Sequence, residues 1–582
     1  MKELIKCILA LIVAWSSAIA VVGVAGVRIT QINLLVPILM VAFYFLIRYF
    51  RKYCKKREIY YGFGFSIPFA IALVLGGNID MESSERTFEG SLPLGLLYFC
   101  VLAIIGMVAI ASIFIAIERN SFVNETFIRI PTKIGPITFG VCMIAWIPYY
   151  LTYFPGIISN DALSMIRQCI GTEVLNNHHP ILFTLFMKLI LVIGMSVTSL
   201  NGAVGIFCAV HMVVFAFVVS SMTSWLVKRG ANNGFVIVTI LYFAFNPAIA
   251  IYSVYLTKDI FFSCALLLFM LKLHDIVQSK GLQLESRNTT IQLLWLSLVV
   301  IFLRNNGIFI VVGTLLVLLL TYRKEWKRML FLIILCVTIS GVIKGPIYTV
   351  IGIPPSSFAE SMSIPLQQVG MVIVEDGEMG EEEEAYLRKL LAFEKVKEVY
   401  SPGYTDPYKF HEDFDDAYLN ETKEEFLQVW GGLLFDYFDL YVEAYLMQTI
   451  GYWHIGQNDS LSTYGVLEND LVVEQVNVIE NLTGISLEPI IEQLILVVRK
   501  APVICFVTNM AGMMFLLLFL GIISGYHKKQ SEIITQLPIW VLWVTLLVAA
   551  PAYCKFRYLF ILAIGLPYMV YLLQVRIFER RG

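Results

Sequence analysis

The chain has 582 residues, 58% of them hydrophobic and 15% charged, with a formal net charge of -2 at pH 7. That balance excludes an ordinary soluble domain and leaves a polytopic membrane protein; without a basic excess, no nucleic-acid partner is expected. The 10 cysteines are scattered through apolar runs without a C-x-x-C or paired metal spacing, so they read as small buried hydrophobes.

The first run, "MKELIKCILALIVAWSSAIAVVGVAG", has the basic start and apolar core of a signal peptide. It is long, and no A-x-A site precedes a soluble domain, so it reads as an uncleaved first span. Spans of about 20 apolar residues are then expected near 4–26, 33–50, 59–77, 92–117, 136–154, 206–227, 235–257, 260–278, 288–303, 307–321, 329–345, 502–524, 536–552 and 557–575. The basic segments 48–57, 227–230, 322–328, 527–529 and 576–582 belong inside, and 80–90 outside. About 14 spans with both termini cytoplasmic satisfy all of these constraints.

One apolar run, 181–197, must then not cross, because a crossing would invert every later basic loop. It is expected as a re-entrant or juxtamembrane helix within an outer loop of 155–205, with Lys188 at an interface or in a cavity. The division that follows is a four-span region 1–135, a membrane core 136–345, an extracytoplasmic domain 346–500 and a three-span region 501–582. The domain 346–500 is polar and expected to be mainly helical, with helices over 381–398 and 416–446; its acid run 381–384 reads as a solvated face. N-x-S/T matches at Asn124, Asn288, Asn420 and Asn481 are weak, and two of them fall on the inner side.

This topology delivers separated ionisable residues to one membrane face. They are Asp161 with His178 and His179, then Lys258 and Asp259, then Arg304 with Asn305 and Asn306, then Lys555, Arg557 and Tyr558. Each has a plain structural reading. Asp161 suits a helix cap in "SNDALSMIRQ", and Lys258–Asp259 a local ion pair. Arg304 and Arg557 suit phospholipid head groups, and His178 a helix start. Together they point to an anionic ligand and an acid/base step, with a carboxylate accepting a proton and cations stabilising a phosphate leaving group.

The order of short motifs carries a resemblance. They are Phe154-Pro155-Gly156, Asp161, Gln168, His178-His179-Pro180, Thr184, Thr257-Lys258-Asp259, Arg304 to Gly307, Ile364 to Gln368, and Phe556-Arg557-Tyr558. Over roughly 136–575 the chain resembles the GT-C superfamily of membrane glycosyltransferases, including the protein O-mannosyltransferase and aminoarabinose-transferase branches. It is more closely similar to an uncharacterised bacterial family of polytopic membrane proteins. The resemblance implies an all-α GT-C-like fold and a cell-membrane enzyme whose site faces outward. Its partners would be a polyprenyl-phosphate-linked sugar and an extracytoplasmic acceptor: cell-wall polymer, lipid or protein. By position Asp161 and Asp259 would be catalytic. His178, His179, Lys258, Arg304, Asn305, Gln367, Gln368, Arg557 and Tyr558 would bind substrate. The first loop lacks an Asp-Glu or Asp-x-Asp pair, so a divalent metal on Asp161, His178 and His179 stays an open alternative. The rival functions are a transporter or flippase of a lipid-linked or anionic substrate, and a non-catalytic scaffold.

Overall fold

The computed structural model of the chain describes residues 10–18, 35–79, 81, 92–119, 133–354, 356–457, 487–500, 505–549 and 552–578. Among these the structure is helical, with β-type pairing confined to two isolated bridges. Seven helices are long and apolar enough to cross a membrane, or eight if the bent pair Asn233–Phe245 and Pro247–Val254 is one span. The expected runs fall on helices, except that most of 4–26 lies outside the described residues. Four of them, Arg287–Leu303, Gly307–Thr321, Met510–Tyr526 and Leu537–Val548, have only 12 to 17 residues. At 1.5 Å per residue they fall short of a hydrocarbon core of about 30 Å, so helix length alone does not yield the expected number of spans.

The bent pair breaks by 54° at Asn246. Asn246 caps the second half, its side chain accepting from the Ala248 amide at 3.0 Å. Pro247 at the first position has no N–H to lose. The apolar run 181–197 forms the helix Ile181–Met195 of 15 residues, about 22 Å long. It folds back on Leu200–Lys228, whose start Ser199 caps by accepting from the Gly202 amide. The two helices touch at Gly194, where a Cβ would sit 2.8 Å from the Ala203 Cβ. Leu182, Leu185, Leu189, Val192 and Ile193 stay exposed on this helix, an apolar stripe suited to lipid, and Lys188 is also exposed.

A large core runs through the helices from Ile134 onward. At its centre the buried Trp146 stacks on Phe215 with ring centres 5.0 Å apart, and its indole N–H donates to the Phe243 carbonyl at 3.1 Å. The helices Lys56–Gly76 and Leu92–Arg119 form an N-terminal bundle. It docks on Met510–Tyr526, whose Tyr526 hydroxyl donates to Glu58 at 2.8 Å.

A second core joins Ala359 to Ala444 in a helical cap domain. Two expected helices are interrupted there. The first splits into Glu381–Leu390 and Phe393–Val399, because Leu391 turns extended and buries its side chain. The second splits into Asp416–Glu421, Lys423–Asp436 and Phe438–Thr449. The acid run 381–384 occupies the first turn of its helix, where the helix dipole favours negative charge. The helix Glu488–Lys500, expected within the same domain, packs on the membrane core instead. Ile491 and Ile495 join that core, and the Leu487 amide donates to Thr152 Oγ1 at 3.2 Å.

Substituting Gly194→Val would push the short helix off Leu200–Lys228, because the atoms it meets are Ala203 Cβ and Cα rather than a flexible tip. The expected loss is about 1–3 kcal/mol, read as a lower melting temperature in detergent. An unchanged melt would mean that this contact does not hold the hairpin.

Candidate functional site

The site begins with a backbone pairing. The Ile157 amide donates to the Val254 carbonyl and the Leu256 amide to the Ile157 carbonyl, each at 2.9 Å. Gly156 makes this approach feasible: its φ is 141°, and a Cβ there would lie 3.1 Å from Leu256 and 3.2 Å from Cys208. The pairing sets two helix starts side by side, Asn160–Ile170 and Lys258–Gln278. Ser159 and Thr257 take the two cap positions, accepting from the Ala162 and Asp259 amides. Asp161 therefore stands one residue inside its helix and is free to face across the gap.

Two other turns converge on the same place. In Arg304 to Gly307 the helix ends at an extended Arg304 and restarts at Gly307, where a Cβ would be 2.2 Å from the Val300 carbonyl oxygen. Phe556–Leu559 is a short 3-10 turn ahead of Phe560–Phe578, seated by the buried Phe556 ring beside Tyr252.

These turns assemble two carboxylates and three cations. Asp161 lies 3.4 Å from Lys258 Nζ and 3.3 Å from Arg557. Asp259 has no exposed side-chain surface; it lies 3.6 Å from Arg304 and 3.8 Å from Arg557. Lys258 Nζ also donates to His179 Nδ1 at 2.9 Å, so the ring proton of a neutral His179 sits on Nε2. Arg304 is held by the Tyr558 carbonyl at 3.1 Å and lies over the Tyr558 ring at 4.6 Å. Asp259 Oδ1 and Arg557 Nε are buried without a hydrogen-bond partner. The inner cluster thus holds one more positive than negative charge, and its deepest ion pair keeps unspent hydrogen-bonding capacity.

Burial would raise the Asp161 carboxyl, but Arg557 and Lys258 outweigh it and hold the group well below the usual carboxylate range. His179 is pushed down to about 2 by burial and by Lys258, so its imidazole is neutral. The metal alternative does not fit this arrangement. No group of three His, Cys, Asp or Glu able to hold an ion occurs among the described residues. Asp161 Oδ2 already faces two cations, Lys258 and Arg557.

Above the cluster lies a two-lobed cleft with cavities of about 680 and 440 Å³ that share Asp161, His178, His179, Arg557 and Tyr558. Tyr252, Tyr255, Tyr404 and Lys555 line the smaller lobe. Arg304, Asn305, Asn306, Glu360, Lys409 and Lys423 line the larger. Such volumes suit a ligand of several rings. The cap domain closes the larger lobe: Lys409 Nζ bridges Glu360 at 3.0 Å and Asp406 at 3.1 Å, and Glu360 reaches His178 at 3.6 Å.

The structure therefore unites Asp161, Asp259, His178, His179, Lys258, Arg304, Asn305, Arg557 and Tyr558. It separates the two glutamines. Gln367 Nε2 donates to the Ser401 carbonyl at 2.6 Å, and Gln368 bonds the Tyr441 carbonyl and Trp430 at 3.2 and 2.9 Å. Both are buried in the cap domain, where Gln367 meets a turn carbonyl and Gln368 is held between the Tyr441 carbonyl and the Trp430 indole, and neither lines the cleft. Sequence reading missed Glu360, Asp406 and Lys409, which sit in a polar domain where charge is unremarkable. Of the glycosylation matches, Asn124 and Asn481 lie outside the described residues. Asn288 is in the first turn of Arg287–Leu303. Asn420 bonds the Phe358 amide and Asp416 within the cap.

Compared with known proteins, residues 170–580 match the model of a family of unknown function, DUF6020. No curated protein and no solved structure matches.

The depressed pKa of His179 has a definite sign. Unfolded, it takes a proton below pH 6.5; folded, it does so only near 2, so stability falls as pH drops through that window. The slope is at most about 1.4 kcal/mol per pH unit. His179→Asn should melt with a shallower pH dependence than the parent between pH 6.5 and 4. Equal slopes would show that His179 is not held neutral.

Proposed function

We propose that this chain, which belongs to the DUF6020 family, is a membrane glycosyltransferase of GT-C type. In this reading it transfers a sugar from a polyprenyl-phosphate donor to an extracytoplasmic acceptor. The cleft opens outward and both chain ends are cytoplasmic, as the charged loops require. One observation carries the reading: Asp161 and Asp259 meet Lys258, Arg304 and Arg557 beneath a two-lobed cleft at one end of apolar helices. Excess positive charge there suits a phosphate, and aromatic side chains in the smaller lobe suit the apolar faces of a sugar.

The two carboxylates then divide the work. Asp161, a quarter exposed and on both lobes, is the general base. Asp259, fully buried, holds Arg304 and Arg557. The acceptor hydroxyl attacks the anomeric carbon as the bond to the phosphate oxygen breaks, with inversion. Its proton passes to Asp161, and the phosphate leaves with the bonding electron pair, stabilised by arginine. Free Asp161 is a weak base because Arg557 and Lys258 face it. A bound phosphate competes for both cations and so raises the proton affinity of Asp161 when the donor is in place.

A second reading, translocation of a lipid-linked anion, is favoured by the span broken at Asn246, a device of transporters. Both are tested in liposomes with labelled polyprenyl-phosphate sugar. The expected outcome is labelled product on an added acceptor, lowered about 100-fold or more in Asp161→Asn with donor binding retained. Full transfer by Asp161→Asn would remove the proposed base. Label that crosses the bilayer and stays on its lipid would favour the transporter.

A further inference from the structure

At the far end of the same helices lies a groove that the proposed reaction does not use. Its cavity, about 490 Å³, is bounded by Leu200–Lys228, Lys258–Gln278 and Arg287–Leu303. Lys272 sits 13 residues beyond Asp259 on one helix, a rise of about 20 Å, so the groove faces the opposite leaflet.

Two lysines enter it. Lys272 Nζ donates to Thr289 Oγ1 at 3.5 Å. Lys228 is exposed at the end of its helix. Neither has a carboxylate within 4.0 Å among the described residues. The groove's one acid, Asp275, is already engaged: Arg229 forms an ion pair with it, and the Trp225 indole N–H donates to it at 2.9 Å. Positive charge therefore stands in excess. The walls are apolar, from Leu268, Leu271 and Ile291, and lead out past Trp295, which is 65% exposed.

A lysine in a spanning segment is costly unless it is neutralised, the nearby Asp275 is shared with Arg229, and a basic pocket between spanning helices suits an anionic head group. We infer that this groove binds the head group of an anionic phospholipid. The phosphate sits between Lys228 and Lys272, and an acyl chain runs along Ile291 and Trp295. Tryptophan is suited to the boundary between head groups and chains.

The test is lipid retention by the full chain released from nanodiscs into native mass spectrometry. Phosphatidylglycerol should be retained in preference to phosphatidylcholine. The double variant Lys228→Gln with Lys272→Gln should weaken that retention about 30-fold, the effect of two lysines near a phosphate. The pair Lys228→Arg with Lys272→Arg should keep it, which separates charge from folding. Equal retention of the two lipids by the parent would overturn the inference, as would unchanged phosphatidylglycerol retention in a folded glutamine variant. Displacement of the lipid by millimolar inorganic phosphate would also overturn it, by making this a site for free phosphate.

Discussion

Charge at the end of an apolar helix bundle has to be neutralised where it stands, and Asp259 is where this chain meets that constraint. With no exposed surface, its carboxylate would be strongly disfavoured alone. Arg304 and Arg557 arrive from turns 45 and 298 residues further along the chain, the differences between positions 304, 557 and 259. Their approach ties three helix ends together. Arg557 then extends to Asp161, and Lys258 links Asp161 to His179. The Ile157–Tyr255 bridge fixes the spacing, and Thr257 Oγ1 adds a hydrogen bond to Asp259 Oδ2 at 3.2 Å.

The same arrangement leaves a cleft rather than a sealed core. Cations outnumber carboxylates by one, and the Asp259–Arg557 contact, at 3.8 Å, lacks a direct hydrogen bond. A fully satisfied network would be rigid and closed to ligands. Here the cap domain roofs the surplus charge, its own Glu360–Lys409–Asp406 chain reaching down to His178. The N-terminal bundle stands apart from the cleft, docking through Tyr526, Glu58 and Arg57.

Much of this was legible in the linear chain. Periods of apolar residues marked the helices, and the polar residues Arg304 to Asn306 marked the break before Gly307, whereas the break at Asn246 inside the expected span 235–257 was not read from the sequence. Less legible were helix ends in the cap domain. Tyr437 and Leu391 continue a helical pattern on paper, and only packing against the second core interrupts it. Gln367 and Gln368 were drawn toward the cleft by their place in a motif. The structure turns them inward, where the Ser401 and Tyr441 carbonyls and the Trp430 indole satisfy their amides.

By itself the sequence determined that the chain is helical and suited to a membrane, that 181–197 is an apolar run set between polar segments, and which acids and bases stand at helix ends. Those properties are local: they follow from hydropathy, length and cap chemistry within some 20 residues. The partners of each charge were decided by tertiary structure alone. Asp161 as cap or as cleft carboxylate reads identically in one dimension. It is distinguished only when Ser159 takes the cap and Arg557 comes within 3.3 Å. Electrostatic pairing depends on distance through space, and the sequence separation of 161 and 557 carries no information about that distance.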